Sequence, residues 1–227
     1  MTQKALKICL ACFAGFAGFL ILVFVFGPRG PVRLSTGHDK IMIGDYIDAY
    51  LAMREVQFDD IIDGVEKQVI WAGEANVKTP LSIIYLHGFT ASSKEIRPVP
   101  DRVAAALGAN LYFTRFTGHG RQPAAMAEAT VGRWMDDVGE AIKIGNQIGE
   151  TVIIMATSTG ATLAAAAALD KAAMEHIGGI IFISPNFAIN SRAANLLTWP
   201  FARQWVPLVT GTEQKGNPRN DLHAHYW

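Results

Sequence analysis

Four short, largely apolar runs, Leu81 to Leu86, Asn110 to Phe116, Thr151 to Ala156 and Gly179 to Ser184, alternate along the middle of the chain with segments of helical periodicity. Runs of that length without a polar face suit strands buried on both sides. The clearest intervening helix is Thr130 to Gly149, where Val131, Trp134, Met135, Val138, Ala141, Ile142 and Ile148 keep the i, i+3, i+4 spacing; an alanine-rich stretch, Ala161 to Ala173, is another. Strand and helix in alternation need crossover connections, which set parallel strands side by side with helices on both faces of the sheet. The fold class is therefore α/β with a mostly parallel sheet. Upstream, Tyr46 to Val56 has helical spacing, and Glu66 to Ala72 follows the turn Asp63-Gly64 as a short strand. From Asn186 onward the alternation stops. Aromatic, Pro and Arg residues such as Trp199-Pro200-Phe201 and Trp205-Val206-Pro207 follow without a clear period, as in a cap inserted over a pocket or an ordinary helical excursion.

The amino-terminal region obeys a different constraint. Ile8 to Phe26 carries no charge and is long enough to cross a bilayer at about 1.5 Å per helical residue. A cleaved signal peptide is the rival reading, but the apolar stretch is long for one, and Phe26-Gly27-Pro28-Arg29 does not resemble a small-residue cleavage site. Lys4 and Lys7 precede the stretch, and Arg29 and Arg33 follow it, a balance that tips slightly toward a cytoplasmic amino terminus and a domain on the non-cytoplasmic side. Gly27, Pro28, Gly30 and Pro31 then punctuate a linker. The expected organisation is a basic tail (1–7), a single-pass membrane anchor (8–26), a linker (27–40), an α/β core (41–185) and a candidate cap (186–227).

Composition removes some function classes. Twenty Lys and Arg balance twenty Asp and Glu, without the basic run that tracks nucleic-acid phosphates. The two cysteines, Cys9 and Cys12, both lie in the apolar stretch, so the rest of the chain has neither an internal disulfide nor a thiolate zinc cluster. The apolar run continues past Cys12, which argues against a lipoprotein site there.

Three motifs could carry chemistry. Ser158 stands in Ala156-Thr157-Ser158-Thr159-Gly160, directly after an apolar strand and directly before an alanine-rich helix. A nucleophile elbow needs that context, with small residues two positions away on each side, because its sharp turn strains the serine backbone and lifts the hydroxyl above the sheet. A serine capping the following helix fits the same residues. Leu86-His87-Gly88-Phe89 leaves an earlier strand into a loop of small and polar residues, a turn able to aim backbone N–H groups outward. Acyl transfer needs two such donors about 3 Å from the developing oxyanion, and the N–H groups of Phe89 and Thr159 are the candidates. The His87 side chain is expected to hold the loop by hydrogen bonds. Thr117-Gly118-His119-Gly120 lies past the next strand, at the carboxyl end of the sheet where α/β folds place ligands. His119 is a poor candidate base because it precedes the serine, whereas serine, acid, histidine is this fold's usual order.

In this order, each after its own strand, the three motifs resemble the α/β-hydrolase superfamily, and more narrowly its lysophospholipase and monoacylglycerol-lipase branch, the serine aminopeptidase S33-type domain. The resemblance runs from about Leu81 to Pro185. It implies an α/β-hydrolase fold and hydrolysis of a carboxylic ester with a lipid-like or small acyl group, with Ser158 as nucleophile and no metal or organic cofactor. The family pattern continues beyond Pro185 with a cap, a strand ending in the catalytic Asp and another ending in the catalytic His. After Asn186 the nearest residues of those types are Asp221, His223 and His225, packed too closely to act from separate loops and too few for a zinc site. The expectation is therefore a chain whose native sequence continues past Trp227, with an unpaired sheet edge, and close to inactive as it stands, since loss of a triad member leaves roughly 10³ to 10⁴ over the uncatalysed rate. The alternatives are a non-catalytic, membrane-tethered ligand-binding protein of the same fold, and an anchor protein whose α/β domain is purely structural.

Overall fold

The computed structural model describes residues 3–30, 32–188 and 190–211. In chain order the elements are helices α1 (Gln3–Phe26) and α2 (Ile47–Glu55), strands β1 (Gln68–Ile70) and β2 (Thr79–Leu86), α3 (Val99–Leu107), β3 (Asn110–Phe113), α4 (Val131–Ile148), β4 (Gly149–Thr157), α5 (Ser158–Ala167), β5 (Ile177–Ile183) and α6 (Ala202–Thr210). By their internal contacts they form two units, one of Val32–Phe187 and one of α1 with the segment beginning at Ala188.

In the larger unit the five strands form one sheet in the order β1-β3-β2-β4-β5, parallel throughout except for β1, which pairs antiparallel with β3. The runs are largely apolar because alternate side chains enter two separate cores. Ile83 and Tyr85 join Leu111, Phe113 and Met155 on the α3 side, while Ile84 and Leu86 join Tyr112, Val152, Ile154 and Ala156 beneath α4 and α5. Fully burying each large side chain contributes about 1.5–3 kcal/mol.

Several boundaries move. The strand expected over Asn110 to Phe116 ends at Phe113, because Thr114 to Phe116 already turn toward the carboxyl-end loops. The strand expected at Glu66 to Ala72 pairs only over Gln68–Ile70. The helix expected over Ala161 to Ala173 starts at Ser158 and ends at Ala167, after which Asp170 accepts from the Ala173 N–H in a turn. On α4, Thr130 caps the amino end by accepting from the Arg133 N–H at 3.1 Å. At the far edge β5 pairs only with β4 among the described residues, leaving Ile181 44% and Phe182 41% exposed.

Buried charges fasten α2 and β1 to the sheet and α4. Arg115 donates from Nε and Nη2 to the two Glu55 carboxylate oxygens at 2.8 Å each. Lys67 Nζ donates to Glu140 and lies 3.7 Å from Asp137, and the Tyr50 hydroxyl donates to Glu140 at 2.6 Å. Such charges are tolerated in a core only when paired in this way. Residues of the expected linker run along α4: Arg33 pairs with Asp136 at 2.5 Å, and a Cβ at Gly139 would stand 2.2 Å from the Thr36 carbonyl.

In the smaller unit α1 has 24 residues, none buried, and is long and apolar enough to cross a membrane. Arg29 donates to the Phe24 and Val25 carbonyls, a cation on the negative end of the helix dipole. Trp199 meets Phe24 edge to face at 5.5 Å, and the Phe201 N–H donates to the Pro28 carbonyl at 2.9 Å. Cys9 and Cys12 are free and exposed on α1.

Candidate active site

The carboxyl ends of β2, β3, β4 and β5 release four loops on one edge of the sheet. β4 passes straight into α5: Thr157 is extended, and Ser158, the first helical residue, has φ of 50°. A side chain in the left-handed region costs of order 1–3 kcal/mol and persists only where surrounding contacts impose it. Here the imposing contact is Gly160. A Cβ at that position would stand 2.3 Å from the Leu86 carbonyl oxygen and 2.5 Å from that of His87, so the first turn of α5 rests directly on the end of β2. Ser158 is half-buried and does not cap α5; the cap position belongs to Thr157, whose hydroxyl faces Tyr85 instead.

Gly88 touches the elbow. A Cβ there would meet Ser158 Cβ at 3.1 Å, so the His87-Gly88-Phe89 loop and the serine share one small space. His87, fully buried, fixes the loop: Nδ1 donates to the Gly88 carbonyl at 2.8 Å while Nε2 accepts from the Phe116 N–H at 3.1 Å. In a trans peptide the N–H points opposite to the C=O, so turning the Gly88 carbonyl toward His87 directs the Phe89 N–H away from it. Among the described residues the N–H groups of Phe89 and Thr159 have no acceptor. Two unspent donors beside a strained serine are what a developing oxyanion requires.

His119 lies 3% exposed against His87, Phe89 and Trp134, with ring centroids 4.9, 6.0 and 5.6 Å away. Its Nε2 accepts from the Thr90 N–H at 3.1 Å, and Nδ1 faces the Thr117 carbonyl at 3.4 Å. Burial pushes its pKa down to about 4 and that of His87 well below the usual imidazole range. Both rings are therefore neutral, with their Nε2 lone pairs engaged by the N–H groups of Thr90 and Phe116. Trp134 Nε1 and Asp137 hold Thr117 through its carbonyl at 2.9 Å and its N–H at 2.7 Å. The β5 exit is tied to the elbow by the Asn186 N–H, which donates to the Ser158 carbonyl at 3.2 Å.

Ser158, Phe89 and Thr159 are thus brought together, and among the described residues no imidazole or carboxylate hydrogen-bonds to Ser158 Oγ. Asp221, His223 and His225 lie outside the described residues. No group of three His, Cys, Asp or Glu among the described residues is placed to hold a metal. Tyr85 and Glu95, whose side chains meet between Gly88 and Thr157, belong to none of the three sequence motifs. A tyrosine one position before the end of a strand with this loop was their only visible signal.

A family model described as serine aminopeptidase, S33, matches residues 78–223. A thermostable monoacylglycerol lipase from Bacillus sp. (strain H-257) is 30% identical over 84 residues, 37% of this chain and 33% of the lipase. A solved structure from work on the metagenome-derived lipolytic enzymes LipS and LipT aligns with a TM-score of 0.52 at 26% identity, covering 60% of this chain and 52% of that one. Est1E from Butyrivibrio proteoclasticus, solved with ferulic acid bound, aligns at 0.44 and 21% identity over 54% of this chain and 50% of its own. The chain thus spans about half the length of these structures and a third of the lipase.

Proposed function

The chain belongs to the serine aminopeptidase S33 family of α/β-hydrolases, and from that premise we propose that it hydrolyses a carboxylic ester with Ser158 as nucleophile. The observation that carries this is the φ of 50° at Ser158, in a turn packed against the Gly88 loop, with the N–H groups of Phe89 and Thr159 unspent. Ser158 Oγ attacks the ester carbonyl, and the carbonyl oxygen becomes an oxyanion held by the two N–H groups. The tetrahedral intermediate expels the alcohol, leaving an acyl-serine; water attacks the acyl carbon and releases the acid. A base must take the serine proton in the first step and return it to the leaving alcohol. The Nε2 lone pairs of His87 and His119 are engaged by backbone N–H groups and are not free to do so.

An apolar acyl group is favoured by Phe89, 47% exposed at the mouth of the site, and by the lipase among the relatives. Helix α1 serves as a membrane anchor in this reading. Its 24 residues span about 36 Å at 1.5 Å each, against roughly 30 Å of hydrocarbon. The orientation follows the expected one, with the domain on the non-cytoplasmic side.

The test is hydrolysis of p-nitrophenyl esters of increasing chain length and of a monoacylglycerol by the detergent-solubilised protein. Ser158→Ala is expected to lower the rate by roughly 10³-fold or more. A variant that keeps the wild-type rate refutes the assignment. The absence of a described base favours a second reading, a membrane-tethered binding protein, which would bind the acyl compounds without turnover in either form.

A further inference from the structure

One exposed carboxylate, Glu95, ties together the loop that carries Phe89 and the strand end that leads into Ser158. Glu95 Oε2 accepts from the Gly88 N–H at 2.9 Å and from the Tyr85 hydroxyl at 2.9 Å. Tyr85 Oη also lies 3.1 Å from Thr157 Oγ1. A carboxylate only accepts, and a tyrosine has a single O–H to give. Tyr85 therefore donates to Glu95 and accepts from Thr157, so the bonds run in one direction, from Thr157 through Tyr85 to Glu95, with Gly88 converging on the same oxygen. Burial and the neighbouring Glu95 charge push the Tyr85 pKa upward, which keeps this hydroxyl protonated.

The two ends of the chain of bonds are the residues that matter for geometry. Gly88 immediately precedes Phe89, and Thr157 immediately precedes Ser158 and stands two positions before Thr159. We infer that Glu95 is a positioning residue of the acyl-transfer site, locking the oxyanion loop and the nucleophile elbow to each other through Gly88 and Tyr85. This rests on the reading of Ser158 as nucleophile. Gly88 is buried, so its N–H depends on this acceptor. Glu95 Oε1 projects to the same space: a Cβ at Gly88 would stand 2.7 Å from it and 3.1 Å from Ser158 Cβ.

The experiment compares Glu95→Ala, Glu95→Gln and Tyr85→Phe in the membrane-extracted full chain, by the rate of fluorophosphonate attachment to Ser158 and by hydrogen exchange at the Gly88 amide. Glu95→Ala is expected to slow attachment about 10- to 100-fold, the cost of a displaced donor, while leaving probe affinity nearly unchanged. Its Gly88 amide should exchange about tenfold faster or more. Glu95→Gln restores both, because an amide oxygen accepts the same two bonds. Tyr85→Phe costs less, and combined with Glu95→Ala it adds less than its separate effect. Wild-type behaviour of Glu95→Ala in both readouts overturns the inference, as does a Glu95→Gln as impaired as Glu95→Ala. A wild type that takes no probe refutes the nucleophile reading instead; the exchange rates then decide alone, and an unchanged Gly88 amide in Glu95→Ala overturns the role of Glu95.

Discussion

His119 and His87 hold the loops of the site by accepting backbone N–H groups from Thr90 and Phe116, and each can do so only while neutral. This has a consequence for stability. The His119 pKa is about 4 in the folded protein, against 6.5 for an unperturbed imidazole. Above about pH 6.5 both states are neutral and the contribution is complete; as pH falls toward 4 the unfolded chain takes up a proton that the folded chain refuses, and the contribution is lost. The loss amounts to about 3 kcal/mol at most, and His87 adds to it in the same direction. The urea midpoint is therefore expected to fall between about pH 7 and about pH 4, and to fall less in His119→Gln, whose amide oxygen still accepts from Thr90. Equal slopes in the two proteins would show that His119 is not the titrating group. At this scale Ser158 was legible because its flanks are small and its neighbours are a strand and a helix. Glu95 was not, since its partners Gly88 and Tyr85 are brought to it only by the loop that follows β2.

Between elements, the decisive contact is that of α5 on β2. It leaves no space for a side chain at Gly160, and the carbonyl oxygens that fill the space belong to a strand end with no freedom to retreat. Gly160→Ala should cost about 2–3 kcal/mol or more, read as a lower urea midpoint, with loss of whatever reactivity Ser158 has. A wild-type midpoint would mean that α5 does not bear on β2 as described. The sequence made the major elements readable for a related reason. Parallel strands buried on both faces are largely apolar, and α4 repeats its apolar face over 18 residues. It left open the bounds of β1, which pairs over only three of the residues expected, and the end of β3, where Arg115 is buried because Glu55 receives it. A buried ion pair between distant segments has no local signature.

For the whole molecule, the account joins a membrane-length helix to a domain whose sheet ends in a strained serine beside two unspent donors. Both features have local sequence signals, the uncharged run from Ile8 to Phe26 and the elbow around Ser158. The proposed base had no such signal, since Asp221, His223 and His225 crowd into one short segment with no strand-like run before any of them. The most direct test is to treat native membranes with a fluorophosphonate probe, extract them, and map the adduct by peptide mass in the wild type and in Ser158→Ala. The account predicts an adduct on Ser158, retained in the membrane fraction after alkaline washing and absent from the variant. An adduct elsewhere in the chain, or undiminished labelling of the variant, would contradict it.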